Sequence, residues 1–134
     1  MLVVDSSVWI DFIRGRETLQ TSFLKRQLRS QRLATADLVV AEVLQGSRDE
    51  QSARHVERLL LSLTPVVVSD HAVAIEAARN YRFLRAKGVT IRRTIDTLIA
   101  TRCIMDHLSL LYSDRDFEPF VEHLGLRSAL AFPF

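Results

Sequence analysis

The chain has 134 residues, 48% hydrophobic and 25% charged, with a net charge of +2, which predicts a single domain over residues 1–134. Such a length buries roughly two thirds of the unfolded surface and builds a core without covalent staples. One cysteine, Cys103, excludes an internal disulfide framework, no apolar run reaches the ~20 residues of a membrane span, and Met1 leads straight into an apolar strand pattern, so a cytoplasmic protein is expected.

Taken in chain order, Leu2–Val4 is a short aliphatic strand pattern that ends at Asp5. A helical spacing follows through Val8, Trp9, Phe12 and Ile13, and Gly15 stops it; Trp9, Phe12 and Ile13 are expected to face the core or a partner. Thr18 to Arg29 predicts a second helix with Leu19, Phe23 and Leu28 inward. A strand over Leu33–Thr35 gives way to Asp37, an expected N-cap for the helix LVVAEVLQG, which carries Glu42. Arg48 to Leu63 is helical in pattern and too rich in leucine for one narrow stripe. Pro65 breaks it before the β-branched run Val66–Val68.

Asp70 is placed to cap a helix that runs to about Lys87, with Gly88 as its C-terminal stop. Thr94 is the expected cap of IDTLIATRCIMDH, where Cys103 reads as an inert packing thiol. Ser109–Tyr112 is the last strand pattern and runs into SDRDF. Strands alternating with helices of these lengths predict an α/β fold with a short, mainly parallel central sheet flanked by helices.

Charge is unevenly spread. Arg14, Arg16, Lys25, Arg26, Arg29 and Arg32 are opposed only by Glu17, and the stretch 79–93 holds six basic residues and no acid. Blocks of this kind suit a polyanion such as nucleic acid. The acids stand elsewhere: Asp5, Glu42, Asp96, Asp114 and Asp116 each lie where an apolar element meets a loop or a helix start. In parallel sheets that junction is where ligands gather, beyond the carboxyl ends of the strands.

Each acid has a plain structural explanation on its own. Asp5 suits an N-cap, Asp96 the positive end of a helix, Glu42 a polar helix face, and Asp114 with Asp116 a surface turn. Together, converging carboxylates repel one another unless a proton or cation neutralises them. The histidines are scattered and the cysteine is single, so the donor set is all oxygen and favours magnesium or manganese over zinc. Beside basic blocks, this points to metal-dependent phosphodiester hydrolysis.

The segments VVDSSVWIDFIRG, AEVLQGSRD, IDTLIAT and LLYSDRDFEPF together resemble the PIN-domain ribonucleases, and within them the VapC toxins of toxin–antitoxin pairs. Order, spacing and total length agree over essentially the whole chain. The resemblance implies a PIN-like three-layer fold and a magnesium-dependent endoribonuclease that cuts RNA through a metal-activated water, leaving a 5′ phosphate and a 3′ hydroxyl. By position it implies that Asp5 and Asp96 bind the ion directly, with Glu42 and Asp114 completing the metal set. Asp116 is the further acidic residue of the catalytic group, and Ser7 orients a metal-bound water. It also implies a VapB-like antitoxin and a toxin homodimer. Arg14, Arg92 and Arg93 are the basic residues expected to meet RNA phosphates without reading sequence.

Two other functions are consistent with the residues. An aspartyl phosphatase would use Asp5 as nucleophile, but such sites commonly place a second acid two residues on, where Ser7 stands. A non-catalytic nucleic-acid-binding regulatory subunit would rely on the arginine blocks alone and would show salt-sensitive binding without turnover.

Overall fold

The computed structural model describes residues 1–30 and 32–130. Five strands, β1 (Leu2–Val4), β2 (Leu33–Ala36), β3 (Thr64–Val66), β4 (Ser109–Leu111) and β5 (Arg127–Ser128), form one parallel sheet in the order β3-β2-β1-β4-β5. Among the described residues there are seven α-helices: α1 (Ser6–Ile13), α2 (Leu19–Leu28), α3 (Asp37–Gln45), α4 (Glu50–Leu61), α5 (His71–Ala86), α6 (Thr94–Met105) and α7 (Glu118–Leu124). Among them, no helix is long and apolar enough to cross a membrane.

The strand order explains the layering. From β1 the chain steps outward through β2 to β3, then returns across the sheet to β4 on the other side of β1. Right-handed crossovers therefore put α1–α4 on one face and α5 with α6 on the opposite face. Helix contacts follow that division: α1 packs on α2 and α3, α3 on α4, and α5 on α6. Covered on both sides, the central strands are largely apolar, which is why Leu-Val-Val and Leu-Leu runs occur where a half-exposed strand would alternate. Trp9, Leu24, Leu60, Ile99, Phe117 and Phe120 fill the space between helices and sheet.

The topology also fixes where a ligand site belongs. Sequence-adjacent connections leave β1 in one direction while its other neighbour is β4, so the order reverses between β1 and β4. A crevice opens there beyond the carboxyl ends of the two strands. Asp5 follows β1 directly, and Asp114 is the third residue after β4.

Several local expectations are corrected. Leu19 is 63% exposed, and Gln20, Thr21 and Leu24 are the fully buried residues of α2, while Phe23 and Leu28 pack partly buried against the core as expected. The cause is the capping box: Thr18 and Thr21 exchange hydrogen bonds, and the Thr21 hydroxyl also donates to the Arg16 carbonyl, turning that face inward. Asp37 is the first helical residue of α3 and not its cap. Its Oδ1 accepts from Leu38 N and from Val68 N, tying the helix start to the segment just beyond β3. Arg93, not Thr94, occupies the cap position of α6, and no side chain caps it. Pro65 lies inside β3, which the sheet tolerates because β3 is an edge strand. Ile13 is exposed, whereas the leucine-rich end of α4 divides as expected of too many leucines for one stripe: Leu60 is buried, Leu59 and Leu63 are partly buried and Leu61 is exposed. The short α7 and β5 follow the segment where the sequence pattern ended.

Candidate metal centre

Asp5 leaves the centre of the sheet and caps α1, so two independent constraints set its carboxylate. Its backbone N–H donates to the Leu111 carbonyl at 2.9 Å, fastening the end of β1 to β4. Its Oδ2 accepts from Ser7 N at 3.2 Å and from Ser7 Oγ at 2.6 Å. Its Oδ1 is buried without a hydrogen-bond partner. The residue is only 2% exposed, and burial pushes its carboxyl up to about 6, with Asp96 and Glu42 adding to the rise against the Ser7 bonds.

Asp96 lies in the first turn of α6 and is 1% exposed. Its Oδ1 accepts from Arg93 Nη2 at 3.1 Å, and its Oδ2 is buried without a partner. Burial raises its carboxyl above the usual range despite Arg93, and Asp114 and Glu42 raise it further. Glu42, on α3, accepts from the Ser6 hydroxyl at 3.2 Å and from Arg93 Nη2 at 2.9 Å. One guanidinium thus bridges carboxylates from two helices on opposite faces of the sheet. Asp114 caps the short turn Arg115–Phe117 by accepting from Asp116 N at 2.9 Å, and Asp116 pairs with Arg92 Nε at 3.0 Å.

Among the described residues, Asp96, Asp114 and Asp116 each offer an oxygen within 4.8 Å of the others. Asp5 and Glu42 stand outside that tight trio and are joined to it through Arg93, Asp96 and their mutual repulsion. The expected acids thus fall into a tight trio, Asp96 with Asp114 and Asp116, and a pair, Asp5 and Glu42, that is electrostatically coupled to Asp96 but lies outside the trio. Arg92 and Arg93 lie among the acids. Arg14 does not: it follows the last residue of α1, roughly 12 Å of helix rise from Asp5. There it lines a separate cleft with Ile10, Val43 and Arg48.

Ser6 is a contributor that the sequence reading passed over. Its only signal is a hydroxyl beside Asp5 in an apolar segment, and its aim at Glu42 depends on how α1 packs on α3.

The donors fit a hard divalent cation. Two buried carboxylate oxygens, Asp5 Oδ1 and Asp96 Oδ2, have no protein partner, which is costly for an acceptor of this charge unless a proton or cation completes it. The surrounding donors are carboxylates, with neither cysteine nor histidine among them, so oxygen-loving ions are favoured.

Comparison with known proteins bears on the family and the fold. The family model described as PIN domain matches residues 2–120. The chain is 28% identical over 131 residues to the VapC ribonuclease Mb1587 of Mycobacterium bovis and to ribonuclease VapC11 of Mycobacterium tuberculosis, covering 96% of this chain and 98% of each relative. In fold it is similar to VapBC2 from Rickettsia felis, solved bound to a promoter DNA fragment, with a TM-score of 0.71 at 20% identity, over 95% of this chain and 96% of that one. A toxin–antitoxin complex from Klebsiella pneumoniae gives a TM-score of 0.70 at 16% identity, over 98% of this chain and 100% of that one.

Proposed function

The chain belongs to the PIN-domain family, and from that premise we propose that it is a magnesium-dependent endoribonuclease, the toxin of a VapBC-type pair. The observation that carries this reading is the pair of buried, unpartnered oxygens on Asp5 and Asp96 at the switch point between β1 and β4. Full-length coverage of relatives named VapC ribonuclease supports it. The proposed reaction is hydrolysis of an RNA phosphodiester bond, leaving a 5′ phosphate and a 3′ hydroxyl.

Asp5, Asp96, Glu42 and Asp114 would hold the ion, magnesium or manganese, and Asp116 completes the acidic ring around it. Bound there, such an ion supplies Lewis acidity at a phosphate oxygen and lowers the pKa of a coordinated water. Ser7 holds Asp5 in place through Oδ2 and keeps Oδ1 directed away from that bond. Ser6 does the same for Glu42. Arg93, now shared by Glu42 and Asp96, and Arg92, now on Asp116, are cations within reach of an incoming phosphodiester. They position backbone and carry no base readout. Arg14, at the far end of α1, would meet an RNA phosphate further along the strand than the scissile one.

The proposed setting is the cytoplasm, with a VapB-like antitoxin as partner and a homodimer as the toxin unit. The test is cleavage of end-labelled RNA by purified protein with magnesium, manganese or chelator. Wild type should cut only with a divalent ion and leave 5′ phosphates, and Asp5→Ala and Asp96→Ala should fall to background while remaining folded. Full metal-dependent activity in either variant sinks the proposal.

A further inference from the structure

The first turn of α6 serves two sites. Asp96 enters the acidic cluster, whereas Thr94 and Thr97, three residues apart and so on one helix face, line a separate cavity of about 490 Å³ between α6 and α5. The opposite wall is α5, which contributes Ala74, Ala78, Tyr81 and Arg82. The volume lies within the roughly 300–1,000 Å³ of small-molecule sites.

The walls are suited to a flat, partly polar ring. Methyl groups of Ala74 and Ala78 leave a gap that any larger side chain would fill. The Tyr81 ring is half-buried, and the Arg85 guanidinium sits 5.8 Å from its centroid, steadying it by a cation–π contact. Thr97 is 3% exposed, and its hydroxyl has no hydrogen-bond partner. A threonine in a helix has two accessible χ1 rotamers. Turning this hydroxyl toward the cavity breaks no existing bond, and it can then donate or accept.

We propose that this cavity receives the base of a nucleotide flanking the scissile phosphate and so sets where the RNA is cut. The proposal rests on the ribonuclease reading and gives it a specificity element. Continuity decides the occupant: Arg93 and Thr94 are adjacent, so a strand whose phosphate meets Arg93 and the acids passes the mouth of the cavity. Stacking on Tyr81 supplies affinity for any base, and the Thr97 hydroxyl discriminates among base edges. Unlike the positioning arginines, these residues would read sequence.

The experiment uses oligoribonucleotides cut by the wild type, with one base at a time removed around the cleavage site. An abasic residue at one position should lower kcat/KM roughly tenfold, the loss expected for one stacked base. Ala78→Leu and Ala74→Leu fill the cavity from exposed helix positions, so folding is spared. Both should cut the abasic substrate as fast as wild type and lose most of the penalty. Thr97→Val, the same shape without the hydroxyl, should keep the abasic rate and narrow the spread among the four bases.

Unchanged penalties in both leucine variants, with cleavage intact, would overturn the base site alone. Penalties that persist while sedimentation shows an altered oligomeric state would also overturn it, assigning the cavity to a contact between chains. Failure of wild type to cut RNA with any divalent ion would overturn this inference together with the reading beneath it.

Discussion

Ser7 binds one oxygen of Asp5 and leaves the other bare: its hydroxyl lies 2.6 Å from Oδ2, while Oδ1 is buried without a partner. The hydrogen bond fixes the carboxylate rotamer and favours its charged form. Removing the hydroxyl with Ser7→Ala leaves only the Ser7 backbone N–H on Oδ2. The carboxyl then rises further, and the free oxygen loses its orientation. Partners of metal ligands are typically worth 10–100-fold in affinity or activity. Ser7→Ala is expected to raise the magnesium concentration for half-maximal cleavage by roughly tenfold, with a smaller loss at saturation. Equal magnesium dependence in the two proteins would remove Ser7 from the site.

The buried charge of Asp5 gives a second expectation, for the metal-free protein. Its carboxyl stands at about 6 in the folded chain against a reference value of 3.8. Between those values the folded state binds more protons than the unfolded state, so this group makes stability fall as pH rises through that window. Asp5→Asn keeps an oxygen for the α1 cap and removes the charge. With chelator near pH 7 it should be more stable than wild type by on the order of 2–3 kcal/mol, although inactive. The gap should close as pH is lowered toward 4. Urea unfolding at several pH values measures it, and a destabilised Asp5→Asn protein would contradict the assigned burial cost.

Arg93 plays the opposite part in the same protein. Its guanidinium holds Glu42 and Asp96 together while no metal does, and its own charge is stabilised by them. Arg93→Met leaves two carboxylates facing each other, one of them buried. Because Arg93 is itself half-exposed, the loss is discounted to about 1–2 kcal/mol in metal-free protein. Added magnesium should recover that stability, so the thermal shift on metal addition should be larger in Arg93→Met than in wild type. An equal shift would show that the arginine bears no charge of the site.

What the sequence disclosed follows from the range of the interactions involved. Asp5 and Asp96 were legible because each sits at a local junction, strand to helix or helix start, that residue pattern alone marks. Their meeting was legible only as far as parallel topology brings strand ends to one edge. The bridge from Arg93 to Glu42 was not, because it joins residues 51 apart across a sheet order that alternation of elements does not determine. Arg14, by contrast, was placed by residue order alone: Asp5 caps the start of α1 and Arg14 its end, so the two stand a helix length apart. Leu19 was misplaced by trusting apolar spacing where a threonine capping box sets the rotation of α2.

Asp37 offers the last expectation, since its placement differed from the sequence reading. As the first residue of α3 it uses a single oxygen, Oδ1, to accept from Leu38 N at 2.9 Å and Val68 N at 2.8 Å. Val68 is buried, so its N–H has no water to turn to if that acceptor is lost. Asp37→Ala should therefore cost about 1–3 kcal/mol, the desolvation penalty of an orphaned donor together with a charge-assisted bond. Asp37→Asn presents an equivalent oxygen and should recover most of it. Since α3 carries Glu42, the alanine variant also loosens the helix that faces Arg93. Its cleavage should decline more steeply with temperature than that of the asparagine variant, in step with its denaturation curve. Equal stability of the two variants would mean that the tie between α3 and the segment beyond β3 carries no weight in the fold.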